Sequence, residues 1–148
     1  MNTIIEKMVE DGLLNNNEAS AVLNKLASGD YLENALLSGS SLTEEQLLRF
    51  LAEEFSYPYI NLEAYSSSSA FLSRFPARLL LRHQIFPLNR DDGSILVATS
   101  RVSDSSGIDE LRLATGMDFS PALAPSTEIT RCIKKFMGVG ADTVQTMV

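Results

Sequence analysis

The chain has 148 residues, 45% of them hydrophobic and 21% charged, with a formal net charge of −7. These values are typical of one ordinary globular domain, or of two small ones packed together, and they exclude a disordered chain. No apolar run approaches the roughly 18 residues that a membrane-spanning helix needs, and the acidic start MNTIIEKMVEDG predicts no signal peptide.

Residues 1–56 are predicted to form a helical subdomain of two helix pairs. In the first pair, apolar residues at helical spacing end at Gly12, which suits the position after a helix C-terminus, and residues 15–17 can cap the next helix. In the second pair, Thr43 and Gln46 form a capping box. The pairs form a weak internal repeat, and we expect them to pack together because neither buries its apolar face alone.

Residues 57–137 are predicted to form an α/β subdomain. The predicted strands cover residues 59–62, 85–88, 95–98 and 119–123. A turn at residues 90–93 ends in Asp-Gly and predicts a β-hairpin. Pro87 indicates either that its strand is at a sheet edge or that Pro87 is among the strand's first residues. The predicted helices cover residues 71–72, 77–83, 108–114 and 126–137, the last capped by Ser126. The fold class is therefore α+β, with helical hairpins followed by a small three- to four-stranded sheet packed with helices.

The end of the chain predicts a change from folded domain to linker. Gly138 and Gly140 interrupt the last helical pattern and favour a flexible exit. Residues 138–148 are therefore predicted to be the start of a linker.

Three motif pairs within residues 42–142 follow one another in a particular order: LAEEF with PYINL, FP with FPL, and DELR with TG. Together they resemble the N-terminal domain of the type II secretion ATPase, general secretory pathway protein E, and of the related type IV pilus assembly ATPases. The resemblance implies that GVGADTV leads into a hexameric ATPase that binds ATP and magnesium. Here the chain stops at Val148, so we expect the ATPase domain to be missing.

Some members of this family bind cyclic di-GMP through two tandem motifs that begin Arg-Leu-Gly, contain a Gly-Leu-Ile turn and end in Gln. Gly12, Leu13 and Leu14 retain one such turn and are the candidate cyclic dinucleotide residues. Thr3 stands where the first arginine belongs, and Glu33 replaces a glycine in the second copy. Because arginine supplies the phosphate contact, these changes disfavour nucleotide binding. A regulatory sensor domain stays open as the alternative function.

Residues that would support catalysis or metal binding are missing from the sequence. There is no G-x-x-x-x-G-K-[ST] phosphate loop, so this chain is predicted not to be an enzyme and to hold no cofactor or metal of its own. His83, the single histidine, is expected on the surface at a helix end. Cys132, the single cysteine, excludes an internal disulfide; we expect a buried thiol and a reducing compartment.

Charge is unevenly placed and guides the functional hypothesis. Residues 1–63 contain eleven acidic and three basic side chains, whereas residues 64–148 contain eight and nine. An acidic half lacks the clustered lysine and arginine that nucleic acids require, so nucleic-acid binding is excluded. Two interpretations remain for it: a solvated surface, or a docking face for a basic partner.

The resemblance implies a non-catalytic docking domain that tethers a hexameric motor to the inner-membrane platform, in type II secretion the cytoplasmic domain of the L protein. The expected location is the cytoplasm, peripheral to the inner membrane through that partner, without direct membrane insertion. The candidate docking residues are Arg78, Arg82, Glu44, Glu45 and Glu53. A type IV pilus extension system, with its own platform, is the alternative within the same family.

Overall fold

The computed structural model describes the backbone of residues 2–63, 65–90 and 92–147, and the side chains of residues 3–63, 65–90 and 92–136. Within these residues the chain forms eight helices and one three-stranded mixed sheet, which is the predicted α+β class. None of the helices described is long and apolar enough to cross a membrane. The elements are α1 (Asn2–Glu10), α2 (Asn16–Ala27), α3 (Leu32–Ser38), α4 (Glu44–Phe55), α5 (Ser69–Leu72), α6 (Ala77–His83), β1 (Phe86–Asn89), β2 (Ile95–Thr99), α7 (Ser106–Thr115), β3 (Ser120–Leu123) and α8 (Ser126–Met147).

Local residues set the end of α1 and the starts of α2 and α4. Gly12 adopts φ +80° after α1, a left-handed conformation that glycine takes without strain. Asn15 and Glu18 exchange side-chain-to-backbone hydrogen bonds of 2.8 and 3.0 Å at the start of α2. Thr43 and Gln46 do the same at α4. The capping box predicted at Thr43 is confirmed, and a second one exists at Asn15.

Helices α1 to α4 share a single apolar core. Its fully buried members come from all four helices and from the turn after α1: Ile5, Met8, Leu14, Val22, Leu32, Ala35, Leu36, Leu47, Leu48 and Leu51. One member, Leu123, belongs to the sheet. An ion pair between Lys7 of α1 and Glu54 of α4 joins these two helices at the surface.

The sheet has the order β1-β2-β3, with β1 antiparallel and β3 parallel to β2. The predicted hairpin is confirmed: Arg90 N–H donates to the Ser94 carbonyl at 3.0 Å, and Gly93 has φ +86°. Asp91, part of the predicted turn, lies outside the described residues. The strand predicted at residues 59–62 is wrong. Within that stretch only Tyr59 forms a bridge, to Leu123, which is the last residue of β3.

Both edge strands carry a proline at a position that faces outward. Asn89 N–H donates to the Tyr65 hydroxyl outside the sheet, so Pro87, two residues earlier, also faces outward on β1. Leu123 N–H donates outward to the Pro58 carbonyl, which places Pro121 outward on β3. Proline has no N–H to offer a further strand. The edge position predicted for β1 is therefore confirmed, and both edges resist pairing with another chain.

Carboxylates of the helical region bond to the sheet region at the junction. Glu33, only 2% exposed, accepts hydrogen bonds from the backbone N–H and the hydroxyl of Ser103. Glu44 accepts from the N–H and hydroxyl of Ser126 at 3.0 and 3.1 Å. Ser126 is the first residue of α8, and the carbonyl of Pro125 before it accepts the first helical hydrogen bond, from Ile129 N–H, so Ser126 does not hold the N-cap position predicted for it. Leu123, a residue of β3, is fully buried in the core of the helical region.

Helix α8 is longer than the sequence pattern predicts. Its helical backbone runs through Gly138 and Gly140 to Met147, ten residues beyond the predicted end at about residue 137. Glycine costs a helix about 1 kcal/mol relative to alanine but keeps its N–H, so unlike proline it does not remove a backbone hydrogen bond. Val148, the last residue of the predicted linker, lies outside the described residues.

Candidate functional site

The candidate docking residues lie on two separate helices. Glu44, Glu45 and Glu53 lie on α4, and Arg78 and Arg82 lie on α6. Glu53 and Arg78 are exposed, and neither has an ion-pair partner among the described residues. The structure therefore offers two small charged patches instead of one converging site.

The other three candidates already have partners within the chain. Glu44 holds Ser126 at the junction between the two regions. Glu45 pairs with Arg49 at 3.0 Å, and both side chains are more than half exposed. Arg82 Nη1 lies 3.3 Å from Glu110 Oε1. Exposed pairs of this kind contribute about 0.2–1 kcal/mol, so a charged partner can compete for Glu45 and Arg82, whereas Glu44 has a structural role.

A groove between α1 and α2, hereafter the acidic groove, lies on the helical region and has a mainly apolar lining. Its volume is about 400 Å³, and its lining consists of Ile5, Glu6, Val9, Glu10, Asn16, Ala19 and Leu23. Leu23 is 38% exposed, which is high for a leucine beside a core. The lining contains two carboxylates and no arginine or lysine. An anionic ligand in this groove meets repulsion with no compensating cation.

The retained Gly-Leu-Leu turn has a structural explanation. Gly12 is exposed in open space at φ +80°, and Leu13 is half-buried. Leu14 is only 3% exposed and packs in the core of the helical region. Leu14 is therefore unable to stack on a nucleotide base without leaving that core. Lys7, the one basic residue of α1, is already paired with Glu54.

A second, polar cavity of about 180 Å³ lies at the carboxyl end of β2. It is lined in part by Arg82, His83, Thr99, Arg101 and Asp104. The sequence analysis missed this cavity. The loop that joins the end of β2 to the start of α7, residues 100–105, is rich in serine, but this stretch alone does not indicate a cavity because part of the lining comes from α6.

The prediction that His83 lies on the surface is wrong. Its side chain is 18% exposed, and Nε2 lies 2.7 Å from Glu110 Oε2. Helix α7 approaches so closely that a Cβ on Gly107 would lie 2.6 Å from the His83 Cβ. The missing side chain at Gly107 allows α6 and α7 to make this contact, which periodicity within α6 alone does not reveal.

Two charged residues of the polar cavity, Asp104 and Arg101, have partners within the chain. Asp104 accepts from the Ser106 hydroxyl and N–H at 2.7 and 3.1 Å, and the hydroxyl bond contributes most to lowering the pKa of Asp104 below its usual value. The Arg101 guanidinium lies 5.6 Å from the centroid of the Tyr31 ring. Asp104 thus occupies the start of α7, where an anion would otherwise bind. Among the described residues no group of His, Cys, Asp and Glu has the geometry of a metal site.

Cys132 is a buried thiol, as predicted. It is 4% exposed on the inner face of α8, and burial raises the pKa of the thiol above its usual value. A high thiol pKa leaves little thiolate at neutral pH, so neither nucleophilic chemistry nor metal binding is favoured there.

Comparison with known proteins identifies a family and several relatives that this sequence resembles. The family model of the MshEN domain matches residues 55–142, more than half of the chain. The type IV pilus assembly ATPase PilB of Myxococcus xanthus is 23% identical over 82% of this chain and 21% of its own length. PilB of Thermus thermophilus is 27% identical over 74% of this chain and 13% of its own length. Bacteriophage adsorption protein B of Escherichia coli is 22% identical over 72% of this chain and 14% of its own length. The chain thus spans about a fifth or less of these relatives.

Solved structures share the fold. MshE with cdg (cyclic di-GMP) superposes with a TM-score of 0.76 at 23% identity, covering 90% of this chain and 97% of that one. The N-terminal domain of XpsE superposes with a TM-score of 0.65 at 23% identity, covering 90% and 92%. At this level of identity the likeness establishes the arrangement of helices and strands, including the pairing of a helical region with a sheet region.

Proposed function

This chain belongs to the MshEN domain family, and we propose that it is the non-catalytic N-terminal docking domain of a type II secretion or type IV pilus assembly ATPase. In this proposal it tethers the motor to the cytoplasmic domain of the inner-membrane platform protein, the L protein in type II secretion. ATP and magnesium binding, and hexamer formation, belong to an ATPase domain outside these 148 residues. The domain thus resides in the cytoplasm, peripheral to the inner membrane through its partner.

The junction between the two regions is the observation that carries the proposal. A tether transmits force only if its own parts do not slip against each other. Glu33 and Glu44 reach 70 and 82 residues along the chain to bond Ser103 and Ser126, and Leu123 of β3 is buried in the core of the helical region. Buried groups bonded in this way are costly to separate, since each donor left unpaired costs about 1–3 kcal/mol. This arrangement supports a rigid anchor.

The exposed charges supply the docking surface in this proposal. Arg78 and Glu53 have no described partner, and Glu45 and Arg82 lie in exposed ion pairs that a partner can replace. Charged side chains at an interface rim mainly set association rate and specificity. We therefore place docking on the exposed faces of α4 and α6, and we assign Glu44 to the junction.

The names of the relatives favour a pilus system as the second candidate. PilB of Myxococcus, Thermus and Pseudomonas aeruginosa all match this chain at 23–27% identity. The partner would then be the cytoplasmic domain of the pilus platform protein.

A sensor function is the third candidate, favoured by the fold match to MshE with cdg. The match to bacteriophage adsorption protein B supports a domain that also occurs outside the named ATPases. Glu6 and Glu10 in the acidic groove, and the burial of Leu14, oppose the binding of an anionic dinucleotide.

Isothermal titration of the chain against three probes tests these candidates: the cognate L-protein cytoplasmic domain, the cognate pilus platform domain, and cyclic di-GMP. Saturable binding to one platform domain supports docking and selects the system. Binding to cyclic di-GMP alone replaces docking with sensing, and absence of binding to both platform domains contradicts the proposal.

Charge-reversal variants locate the surface. Arg78→Glu and Glu53→Lys should each weaken platform binding by about 3- to 10-fold, because a rim charge becomes repulsive. Arg90→Glu and Glu63→Lys carry the same charge changes at exposed positions in loops outside α4 and α6, and they should leave the affinity for the platform domain unchanged. Equal losses in all four variants would place docking elsewhere.

A further inference from the structure

Helix α8 carries three cations on its outer face. Ile129, Cys132 and Ile133 are buried against the sheet region. Arg131, Lys134 and Lys135, hereafter the basic stripe, are exposed and lie together because residues three and four apart share a helix face. None of the three forms an ion pair with a described carboxylate. This is an unusual local surplus of positive charge in a chain whose net charge is −7.

The acidic groove is the complementary surface. Ile5, Val9, Ala19 and Leu23 give it an apolar lining, and exposed Glu6 and Glu10 add two negative charges. The surrounding residues 1–63 carry eleven acidic side chains against three basic ones. An open groove of about 400 Å³ between two helices suits a helix surface with long, flexible side chains. Lysine stems can cover its apolar lining while their ammonium groups reach the carboxylates.

Within one copy, the groove and the stripe belong to different regions. The groove lies on the first helix pair, whereas α8 packs against α5, α6 and the strands β1 and β2. No described ion pair joins the stripe to Glu6 or Glu10.

We propose that the basic stripe of one copy of this chain docks in the acidic groove of a second copy. The two surfaces differ, so the contact is head to tail, and each added copy presents one free groove and one free stripe. Such a heterologous contact produces a ring if the rotation between copies closes and an open chain if it does not. The inference rests on the charges and shape of this chain, and it holds whether or not the chain docks on a platform protein.

Sedimentation velocity of the 148-residue chain tests the proposal directly. The mean sedimentation coefficient should rise with concentration up to about 1 mM, as expected of a contact that binds weakly. It should fall again when salt shortens the screening length from about 10 Å at 0.1 M to about 3 Å at 1 M. A chain that stays monomeric throughout at low salt contradicts the proposal.

Charge-swapped variants provide the decisive experiment. Lys134→Glu with Lys135→Glu reverses the stripe, and Glu6→Lys with Glu10→Lys reverses the groove. Each double variant alone should associate about ten-fold more weakly or worse, since its own two surfaces now repel. An equimolar mixture of the two variants should recover association, because each reversed surface meets an opposite one on the other variant.

Matched controls carry the same charge change at other exposed positions. Arg74→Glu with Arg90→Glu matches the stripe variant, and Asp30→Lys with Glu63→Lys matches the groove variant. Both controls should associate as the unmodified chain does. Far-UV circular dichroism checks folding, and Lys134→Gln with Lys135→Gln gives a milder stripe variant that should show a smaller loss.

Three results would overturn the proposal. The first is association that neither reversal weakens. The second is failure of the mixture to recover association although both variants are folded. The third is binding of the stripe to vesicles of anionic lipid, or of the groove to a basic amphipathic peptide, together with no self-association; this would assign the surfaces to those partners instead.

Discussion

The helical region, residues 2–56, and the sheet region, residues 57–136, are organised by contacts of very different range. Helices α2 and α4 begin with capping boxes whose partners are three residues apart. In the sheet region, β2 and β3 pair across the whole of α7, and Leu62 N–H donates to Glu128, 66 residues later. The first region is thus specified locally, whereas the second depends on contacts that exist only when the chain has folded around its sheet.

At the junction, residues positioned by local contacts bond to residues positioned by long-range contacts. Glu33 and Glu44 are placed by local helices, but their hydrogen-bond partners Ser103 and Ser126 belong to the sheet region. The acidic character of residues 1–63 therefore has two parts. Some carboxylates join the regions, and others, such as Glu6, Glu10 and Glu53, remain exposed for partners. If this division is correct, variants at the junction should lower the stability of both regions together. Variants within one region should change stability only through the contacts of that region.

The largest effect is expected for Leu123→Ala. Leu123 belongs to β3 and is fully buried in the core of the helical region, so its truncation removes apolar contacts and leaves a cavity where the two regions meet. The free energy of unfolding should fall by about 2–5 kcal/mol. Urea denaturation followed by far-UV circular dichroism and by tyrosine fluorescence measures the loss and shows whether the regions still unfold together.

Leu113→Ala is the matched control, because Leu113 is 88% exposed on α7. Its effect should be within about 0.5 kcal/mol of zero. Separate transitions in the unmodified chain would show that the regions are independent and that Leu123 does not couple them.

Glu33→Ala should have the next largest effect. It leaves the Ser103 N–H and hydroxyl without their acceptor at a buried position, which costs about 1–3 kcal/mol. Glu33→Gln keeps one side-chain oxygen as an acceptor and should lose less. Amide hydrogen exchange should show faster exchange at Ser103 in the alanine variant.

Glu53→Ala tests the same residue type on the surface. Glu53 is exposed on α4, so the stability of this variant should change by no more than about 0.5 kcal/mol. Equal losses at Glu33 and Glu53 would contradict the distinction between junction and surface carboxylates.

Because local contacts specify the helical region, we expect smaller losses of stability when its helix caps are removed. Asn15→Ala and Thr43→Ala should each lower the free energy of unfolding by about 1 kcal/mol, because each leaves a backbone N–H without its acceptor. Asn17→Ala, at an exposed position within α2, is the control and should be nearly neutral. A loss at Asn17 equal to that at the caps would argue that general packing, and not capping, sets the helix boundaries.

The sequence was most informative where the structure is local. The capping box at Thr43, the glycine turn at Gly12 and the hairpin at Gly93 all depend on a few adjacent residues, and all three are confirmed. Three of the four predicted strands also exist. Pro87 correctly indicated an edge strand, because a missing N–H restricts a residue wherever its neighbours lie.

The errors concern residues whose environment comes from distant parts of the chain. The hydroxyl of Ser126 donates to a carboxylate 82 residues away, and Ser126 is the first residue of α8 instead of its N-cap. His83 is mostly buried because Gly107, on another helix, leaves room for it. Tyr59 forms one bridge because its partner strand ends at Leu123. The polar cavity combines residues from several such segments, so no single stretch of sequence indicated it.

The smallest expected effect is the pH dependence contributed by one capping carboxylate in each region. Hydrogen bonds from Asn15 and Ser41 hold the pKa of Glu18 below its ordinary value of 4.5. Hydrogen bonds from Ser106 do the same for Asp104, whose ordinary value is 3.8. Because each pKa is lower in the folded chain than in the unfolded one, each carboxylate stabilises the fold fully above about pH 5.5 and loses that contribution as the pH falls through its folded-state value.

Glu18→Gln and Asp104→Asn remove these titrations one region at a time. The difference in unfolding free energy between each variant and the unmodified chain should be constant above about pH 5.5 and should shrink toward pH 3. Ser106→Ala should reduce the Asp104 effect and leave the Glu18 effect intact. If the junction makes the two regions one cooperative unit, both pH effects will shift the same unfolding transition. Two transitions, each sensitive to one variant, would instead show that the locally and the distantly ordered regions unfold separately.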